Sequence, residues 1–497
     1  IHHDWIPLDE GLRLAYRAWL PEGSDSQPVP AILEFLPYRK SDGTVYRDEI
    51  TMPATAEHGY ACIRVDLRGT GESDGLFDDE YSEQELSDAE QVIDWISRQP
   101  WCDGNVGMVG ISWGGFNSIQ MAMRNPPALK AFIALMATEE LYQEDVHYID
   151  GIIHTDSWMM SADLYNAMPG APEFILDENW VKQRFEVEPS VYAYMRQQRD
   201  GPFWDRASAR DKYDRIKIPG FHIGGWFDGY RNSLPRMLEN VSAPVKAMIG
   251  PWEHYFPHEA WPEPAVEWRH EAVRWWDHWL KGKDTGIMDE PAFAVYVRDW
   301  FPPDPQLKQI PGHWRWEEGW PLKRATEKVL YPRADHALGK DPARAGVHEL
   351  QYKASVGLEG GGSVMGWGTV PPDQQPMDDH GLVYDSDPLD EPLEILGFPR
   401  ALLRVSSDAS RANWVVRVSD VSPDGQVTQD SGAGFNGTHR QSARAPSDLV
   451  PGEQVDLDIE MQFTSWVFPA GHRIRLAVTN GQWPMFWPTP LPMTSTL

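Results

Sequence analysis

The sequence predicts a two-part chain, a doubly wound α/β domain carrying a helical insertion and then an all-β domain, and three observations carry that prediction. Apolar runs at Pro30–Leu36, Tyr60–Asp66, Val106–Val109 and Ala131–Met136 have the length of buried strands, and Leu86–Gln99 and Trp113–Met123 show helical spacing between them. Residues 139–214 interrupt this alternation with a polar, aromatic stretch that is helical in places and has no clear strand. Beyond about Pro321 the apolar period falls to two, with strands at Ala401–Val405, Trp414–Val418, Gln454–Ile459 and Arg473–Val478 separated by turns such as Pro423-Asp424-Gly425. The expected parts are 1–138 and 215–321 for the α/β domain, 139–214 for an inserted cap, and 322–497 for a β sandwich or jelly roll.

In chain order, Leu12–Leu20 alternates as a strand does, and Pro30–Leu36 ends at Pro37-Tyr38, which places Tyr38 just past a strand's C-terminal end. Tyr60–Asp66 leads into Leu67–Gly75, a Gly-rich loop with no Lys-Ser/Thr and no helix directly after it, so it reads as structural and not as a phosphate cradle. The strand at Val106 joins the helix at Trp113 through Gly110-Ile111-Ser112-Trp113-Gly114-Gly115. Pattern resumes after the insertion over Ile218–Asp228, a strand, and again over Val245–His254, and a helix follows at Val266–Leu280. Met493–Leu497 reads as a strand that stops, so the natural chain is expected to be longer.

With 44 basic against 75 acidic residues the net charge is −31, which opposes nucleic acid and anionic lipid as partners. No apolar run reaches the roughly 18 residues of a membrane span, and the opening residues lack a signal-peptide profile. The expected location is the cytoplasm, with export left open for a processed N-terminus; assembly into a homo-oligomer is also left open. Two cysteines, Cys62 and Cys102, exclude a disulfide framework. Twenty-four tryptophans suit both packing and an aromatic-walled pocket. Trp158 in the cap, with Trp226 and Phe227, are the aromatic candidates for substrate binding.

Gly110-x-Ser112-x-Gly114 is the nucleophile-elbow pattern, in which glycines let strand and helix approach and hold a serine on a sharp turn. A serine hydroxyl needs a histidine to take its proton, and the histidine needs a carboxylate to orient it. Asp228 and His254 follow the next two strands, in the order serine, acid, histidine. The Trp113 amide and the Tyr38 hydroxyl are placed to serve an oxyanion.

Leu36-Pro37-Tyr38-Arg39, Asp66-x-Arg68-Gly69-x-Gly71-x-Ser73-x-Gly75, the Ser112 motif, Gly225-Trp226-Phe227-Asp228 and Gly250-Pro251-Trp252-x-His254 together resemble the cocaine-esterase-like (CocE/NonD) hydrolases. These are relatives of Xaa-Pro dipeptidyl-peptidases and α-amino-acid ester hydrolases. Arg404–Asp408, Arg417–Val421 and Ser465–Arg473 extend the likeness into the last domain. The resemblance implies an α/β-hydrolase fold, a helical cap and a C-terminal jelly roll. It also implies Ser112 as nucleophile, Asp228 as acid, His254 as base, and Tyr38 with Trp113 as oxyanion hole. No cofactor and no metal are expected, and the expected partner is a small-molecule ester or amide.

In the amino-acid ester hydrolases acidic residues follow the catalytic aspartate and hold the substrate ammonium. Here Gly229-Tyr230-Arg231 follows, and a cation at Arg231 is a poor partner for an ammonium. Carboxylic ester hydrolysis is therefore expected ahead of Xaa-Pro dipeptidyl-peptidase or amino-acid ester/amide activity, although Glu139, Glu140, Glu144 and Asp145 offer acids at the start of the cap. Two rivals differ in class. Glu253-His254-x-x-x-His258 would suit a metal only on a helix, which Pro257 disfavours. An inert ligand-binding protein built on the Trp-rich β domain would leave the Ser, Asp, His set without purpose.

Overall fold

The computed structural model describes residues 1–9, 11–155, 168–171, 174–185, 188–342, 346–362, 368 and 370–497. In chain order its first part runs β1 (His2–Pro7), β2 (Arg13–Trp19), β3 (Val29–Leu36), α1 (Val45–Ala56), β4 (Ala61–Asp66), α2 (Glu83–Ser97), β5 (Cys102–Ile111), α3 (Trp113–Arg124) and β6 (Leu129–Leu135). The insertion holds β7 (Tyr148–Ile149) and β8 (Ile152–Ile153), and β9 (Gly220–Gly225), β10 (Val245–Gly250), β11 (Phe293–Arg298) and β12 (Gly312–Glu317) follow.

Ten of these strands form one sheet in the order β1-β2-β4-β3-β5-β6-β9-β10-β11-β12. From β4 across to β11 every neighbouring pair is parallel. Such strands are covered on both faces, and alternate residues serve each cover. Leu33, Phe35, Phe132 and Ala134 pack with Val92, Ile96 and Phe116 of α2 and α3. Ile32, Ile133 and Leu135 face Trp275, Trp276 and Leu280 of the helix Arg269–Lys281. The chain passes from β3 to β4 on one side and then returns to lay β5 on the other side of β3. This reversal opens a crevice at the carboxyl ends of β3 and β5, where ligands bind in open α/β sheets.

Several elements differ from the sequence-based expectation. The strand β1 was not expected because its side chains are mostly exposed and show no alternation; edge pairing with β2 makes it a strand. The sheet runs past the helix Arg269–Lys281 through β11 and β12. The insertion contains a hairpin, β7 with β8, turned on Asp150 (φ 54°) and Gly151 (φ 70°). An Asp-Gly pair with two positive φ angles is the turn such hairpins favour. The hairpin rests on the β domain: Gly434 N donates to Asp150 Oδ2 at 2.7 Å, Asn436 Nδ2 donates to Gly151 O at 3.0 Å, and Ile149 and Ile152 pack on Val415, Met485 and Phe486.

Among the described residues, the paired strands of the last part are all antiparallel. One four-stranded sheet runs Glu349–Gln351, Thr494–Thr496, Arg400–Ser407, Val455–Glu460, and a second runs Leu382–Asp385, Arg473–Thr479, Asn413–Val421, Val427–Asn436. Their shared core, with Trp414, Phe463 and Trp466, continues without a break into Trp226, Phe227 and Val295 of the α/β domain. None of the described helices is long and apolar enough to cross a membrane.

Candidate active site

Ser112 joins β5 to α3 at φ 57°, ψ −126°, a strained conformation for an L-residue that holds its side chain at the head of the turn. The backbone is held there by Ser112 N donating to Leu135 O at 3.0 Å. Gly110 is required by the close crossing: a Cβ there would lie 2.5 Å from Gly114 Cα. The Trp113 amide is the first of α3 and has no intrahelical acceptor. Its indole Nε1 donates to buried Glu85 at 2.7 Å, which fixes the ring.

Asp228 follows β9 and is fully buried. Its Oδ1 accepts the Tyr230 amide at 2.9 Å, and its Oδ2 bonds His254 Nδ1. An ionised carboxylate only accepts, so the imidazole proton sits on Nδ1 and Nε2 is left as the basic nitrogen. The His254 side chain, after β10, is 36 % exposed. Asn232, four residues past Asp228, ties the acid loop to the other two parts of the molecule: Nδ2 donates to Glu144 of the cap at 2.7 Å, and Oδ1 accepts the Phe463 amide of the β domain at 2.7 Å.

Tyr38 follows β3, hydrogen-bonds the Ser112 side chain, and sets its ring edge-on to Trp113 with centroids 6.2 Å apart. Burial, reinforced by the carboxylates of Glu80 and Asp145, raises its phenol well above the usual range, so it remains a donor. The next residue, Arg39, adopts φ 57° and donates to the carbonyls of Met168 and Pro169 at 2.6 and 2.7 Å, while Lys40 N donates to Asp66 Oδ1 at 2.8 Å. The loop carrying Tyr38 is thus fastened to the cap and to the start of the Gly-rich loop.

Tyr38, Ser112 and His254 line one cavity of about 490 Å³, and Asp228 stands behind His254. Trp226 and Phe227 do not line it. Trp226 is completely buried, donates from Nε1 to Tyr296 O at 2.7 Å and packs on Phe463; Phe227 packs on Phe301. Both rings join the α/β and β domains, because the strand end that turns Asp228 toward His254 turns its neighbours into the shared core. Trp158 lies outside the described residues. Residues 254–258 form bends and turns, and His258 Nδ1 accepts from Trp268 Nε1 at 3.0 Å, so the two histidines do not share a helix face.

The cavity contains acids that sequence reasoning passed over or left unweighted. Glu80, from the loop before α2, and Asp145, from the cap, both line it. With His147 they offer polar atoms within 4.8 Å of one another, close enough to hold a cation between them. His147 Nε2 bonds Glu80 at 2.6 Å and its ring stacks on Tyr194, while Tyr230 OH donates to Asp145 at 3.1 Å. Burial first, and then the Glu80 charge, push Asp145 up to about 7, with His147 opposing. No local motif marks Glu80, and Asp145 was one of several acids in its stretch. Arg231, expected to repel an ammonium, is buried and donates to Trp226 O, outside the cavity lining.

Residues 10–256 match the model of the X-Pro dipeptidyl-peptidase (S15 family), and residues 285–497 match the X-Pro dipeptidyl-peptidase C-terminal non-catalytic domain. The chain belongs to the S15 family. The second match begins ahead of β11, so the last two strands of the long sheet fall within it. This S15-family chain is similar to a Mycobacterium bovis protein named for serine esterase activity, 27 % identical over 96 % of this chain and 89 % of that one. It is also similar to the cocaine esterase of a Rhodococcus species, 25 % identical over 97 % of this chain and 90 % of that one. A solved α-amino acid ester hydrolase shares the fold with a TM-score of 0.80 at 22 % identity, over 100 % of this chain and 93 % of that one. As an S15-family member the chain is a serine hydrolase with an α/β-hydrolase domain and a non-catalytic all-β domain.

Proposed function

We propose that this hydrolase cleaves carboxylic esters through an acyl-enzyme on Ser112. His254 Nε2 takes the Ser112 proton as Oγ attacks the carbonyl carbon, and the carbonyl π electrons move onto oxygen. The Tyr38 hydroxyl and Trp113 amide donate to that oxyanion. Collapse breaks the bond to the leaving alcohol, which receives the proton from His254, and water repeats the sequence to release the acid and free Ser112. The observation that carries this reading is the buried Asp228 holding His254 by Nδ1 at the wall of the same cavity that Ser112 and Tyr38 line. The test is fluorophosphonate labelling with peptide mapping, run beside p-nitrophenyl esters and Xaa-Pro and aminoacyl amides. Label on Ser112, lost in Ser112→Ala together with ester turnover, is the expected result. Label elsewhere, or turnover that survives in Ser112→Ala, sinks the assignment, as would a loss with EDTA that zinc restores.

A second reading is favoured by Glu80 and Asp145. Two buried carboxylates on the wall of a site are complementary to a protonated amine, and with Arg231 turned away nothing at the acid loop opposes one. On that reading the acyl group carries the amine, as in an aminoacyl ester or amide, and the amide panel decides between the two.

A further inference from the structure

Arg47, in the first turn of α1, lines the same cavity as Ser112 and His254 and has no part in the chemistry derived above. Its guanidinium is held from behind. Nε and Nη2 donate to Asp48 Oδ1 at 3.0 and 2.8 Å, and Nη2 also donates to Glu34 Oε2 at 2.5 Å. Among the described residues Nη1 makes no hydrogen bond. The side chain is only 18 % exposed, so the group is aimed and largely desolvated before any ligand arrives. Its flanking charges balance: Arg64 Nε lies 3.7 Å from Glu34 and 3.5 Å from Asp48, giving two cations for two carboxylates. Burial further raises Glu34, against the pull of Arg47, which takes negative charge out of this cluster.

The position of Arg47 indicates which part of a substrate it meets. Its guanidinium stands 5.5 Å from the centroid of the Phe256 ring, two residues past His254, and so lies on the wall where the leaving group takes its proton. Among the described residues, the remaining charges lining the cavity are Glu80, Asp145 and Glu259. The first two interact with each other and with His147 and Tyr230, and Glu259 is 43 % exposed beside His258, where water screens it. Among the described residues that line the cavity, Arg47 is the one cation.

We infer that Arg47 is a carboxylate-binding group of the leaving-group subsite, so that the esters or amides taken best by this site depart as carboxylate-bearing alcohols or amines. A guanidinium with one uncommitted nitrogen beside a nucleophile recognises such an anion by a charge-assisted hydrogen bond. The inference rests on acyl transfer at Ser112. Joined to the amine reading, it makes the preferred substrate a zwitterion, with ammonium toward Glu80 and Asp145 and carboxylate toward Arg47.

The experiment compares a 3-carboxy-4-nitrophenyl ester with its carboxamide counterpart, both with the same acyl group and a chromogenic leaving group. KM is measured for wild type, Arg47→Lys and Arg47→Met. In the wild type the carboxylate ester is expected to show KM about tenfold lower than the carboxamide. Arg47→Met should close that ratio to about one, and Arg47→Lys should keep part of it. Equal KM values in the wild type, or the same ratio in Arg47→Met, overturn the inference. Should Arg47→Met fail to fold, with Glu34 and Asp48 left short of a partner, the wild-type pair and Arg47→Lys decide. Fluorophosphonate labelling of Ser112 in the wild type is scored alongside, so that a failure of the Ser112 assignment is distinguished from a failure of the Arg47 one.

Discussion

Gly110→Ala is the substitution that tests the elbow most directly. The new Cβ would sit 2.5 Å from Gly114 Cα with the Gly114 carbonyl carbon closer still, and both are backbone atoms that no rotamer change can move. Carbon atoms prefer about 3.5–4.0 Å, so β5 and α3 must separate by roughly 1 Å at the point that carries Ser112. Overpacking of this kind costs about 1–3 kcal/mol, and a displacement of about 1 Å at a reacting group lowers turnover by about a hundredfold. Gly107→Ala is the control, in the same strand but on its other face. There the Cβ meets Trp276 Cζ3 at 2.8 Å, Ile32 Cδ1 at 3.0 Å and Leu280 Cδ1 at 3.1 Å, all side-chain atoms that can shift. The assay is kcat and KM on a p-nitrophenyl ester together with a thermal melt. Gly110→Ala should lose about two orders in kcat with a smaller change in KM, while Gly107→Ala should lose stability and keep kcat within a few-fold. Wild-type kcat in Gly110→Ala, or an equal loss in both variants, would refute the claim that this contact sets the serine.

Asp228→Asn keeps the shape of the acid loop but presents a donor to Nδ1 or forces the other tautomer; a fall in kcat of about 10⁴ is expected, with the fluorophosphonate labelling rate falling in parallel. Tyr38→Phe removes one oxyanion donor and should cost about 10²–10³ in kcat while KM moves little; an unchanged kcat would assign the donor elsewhere. Asp145→Asn tests the acidic wall. Burial and the Glu80 charge push Asp145 up to about 7, so on the amine reading the carboxylate offered to an ammonium forms as pH rises through 7. For an aminoacyl substrate kcat/KM should therefore rise through that range more steeply than for a neutral ester, and Asp145→Asn should erase the difference between the two profiles. The same shift has a stability sign. Between about pH 4 and 7 the folded state keeps a proton on Asp145 that the unfolded state has lost, so this residue's burial becomes more destabilising as pH rises across the window. Melts of Asp145→Asn should accordingly fall less over that interval than those of the wild type.

Local chemistry made the α/β core and the elbow legible. A strand buried on both faces must be apolar throughout, a helix laid on it must repeat near every third or fourth residue, and a turn that crosses at van der Waals distance must carry glycine; β3 to β6, α3 and Gly110 each leave that mark in sequence. The pairing of Asp228 with His254 was reachable because a strand end is itself a recognisable place. Nothing comparable announced Trp226 and Phe227 as core: next to Asp228 they read as pocket walls, and only the docking of the β domain, through Phe463 on Trp226 and through Trp466 on the Phe301 ring beside Phe227, buries them. The strand β1 and the hairpin β7–β8 were missed for the related reason that pairing and docking, and not their own periodicity, hold them.

The sequence by itself determined the α/β-hydrolase fold and the turn that carries Ser112, because buried strands and a glycine-lined crossing leave local marks. The tertiary structure alone decided the character of the cavity. Glu80 and Asp145 are 65 positions apart, and Arg47 stands on a third element, yet all three face the space in front of Ser112. The strand reversal at β3 and β5, with the cap held over it by Arg39 and Asn232, brings them there. Charge complementarity depends on distance through space, and a sequence records only distance along the chain.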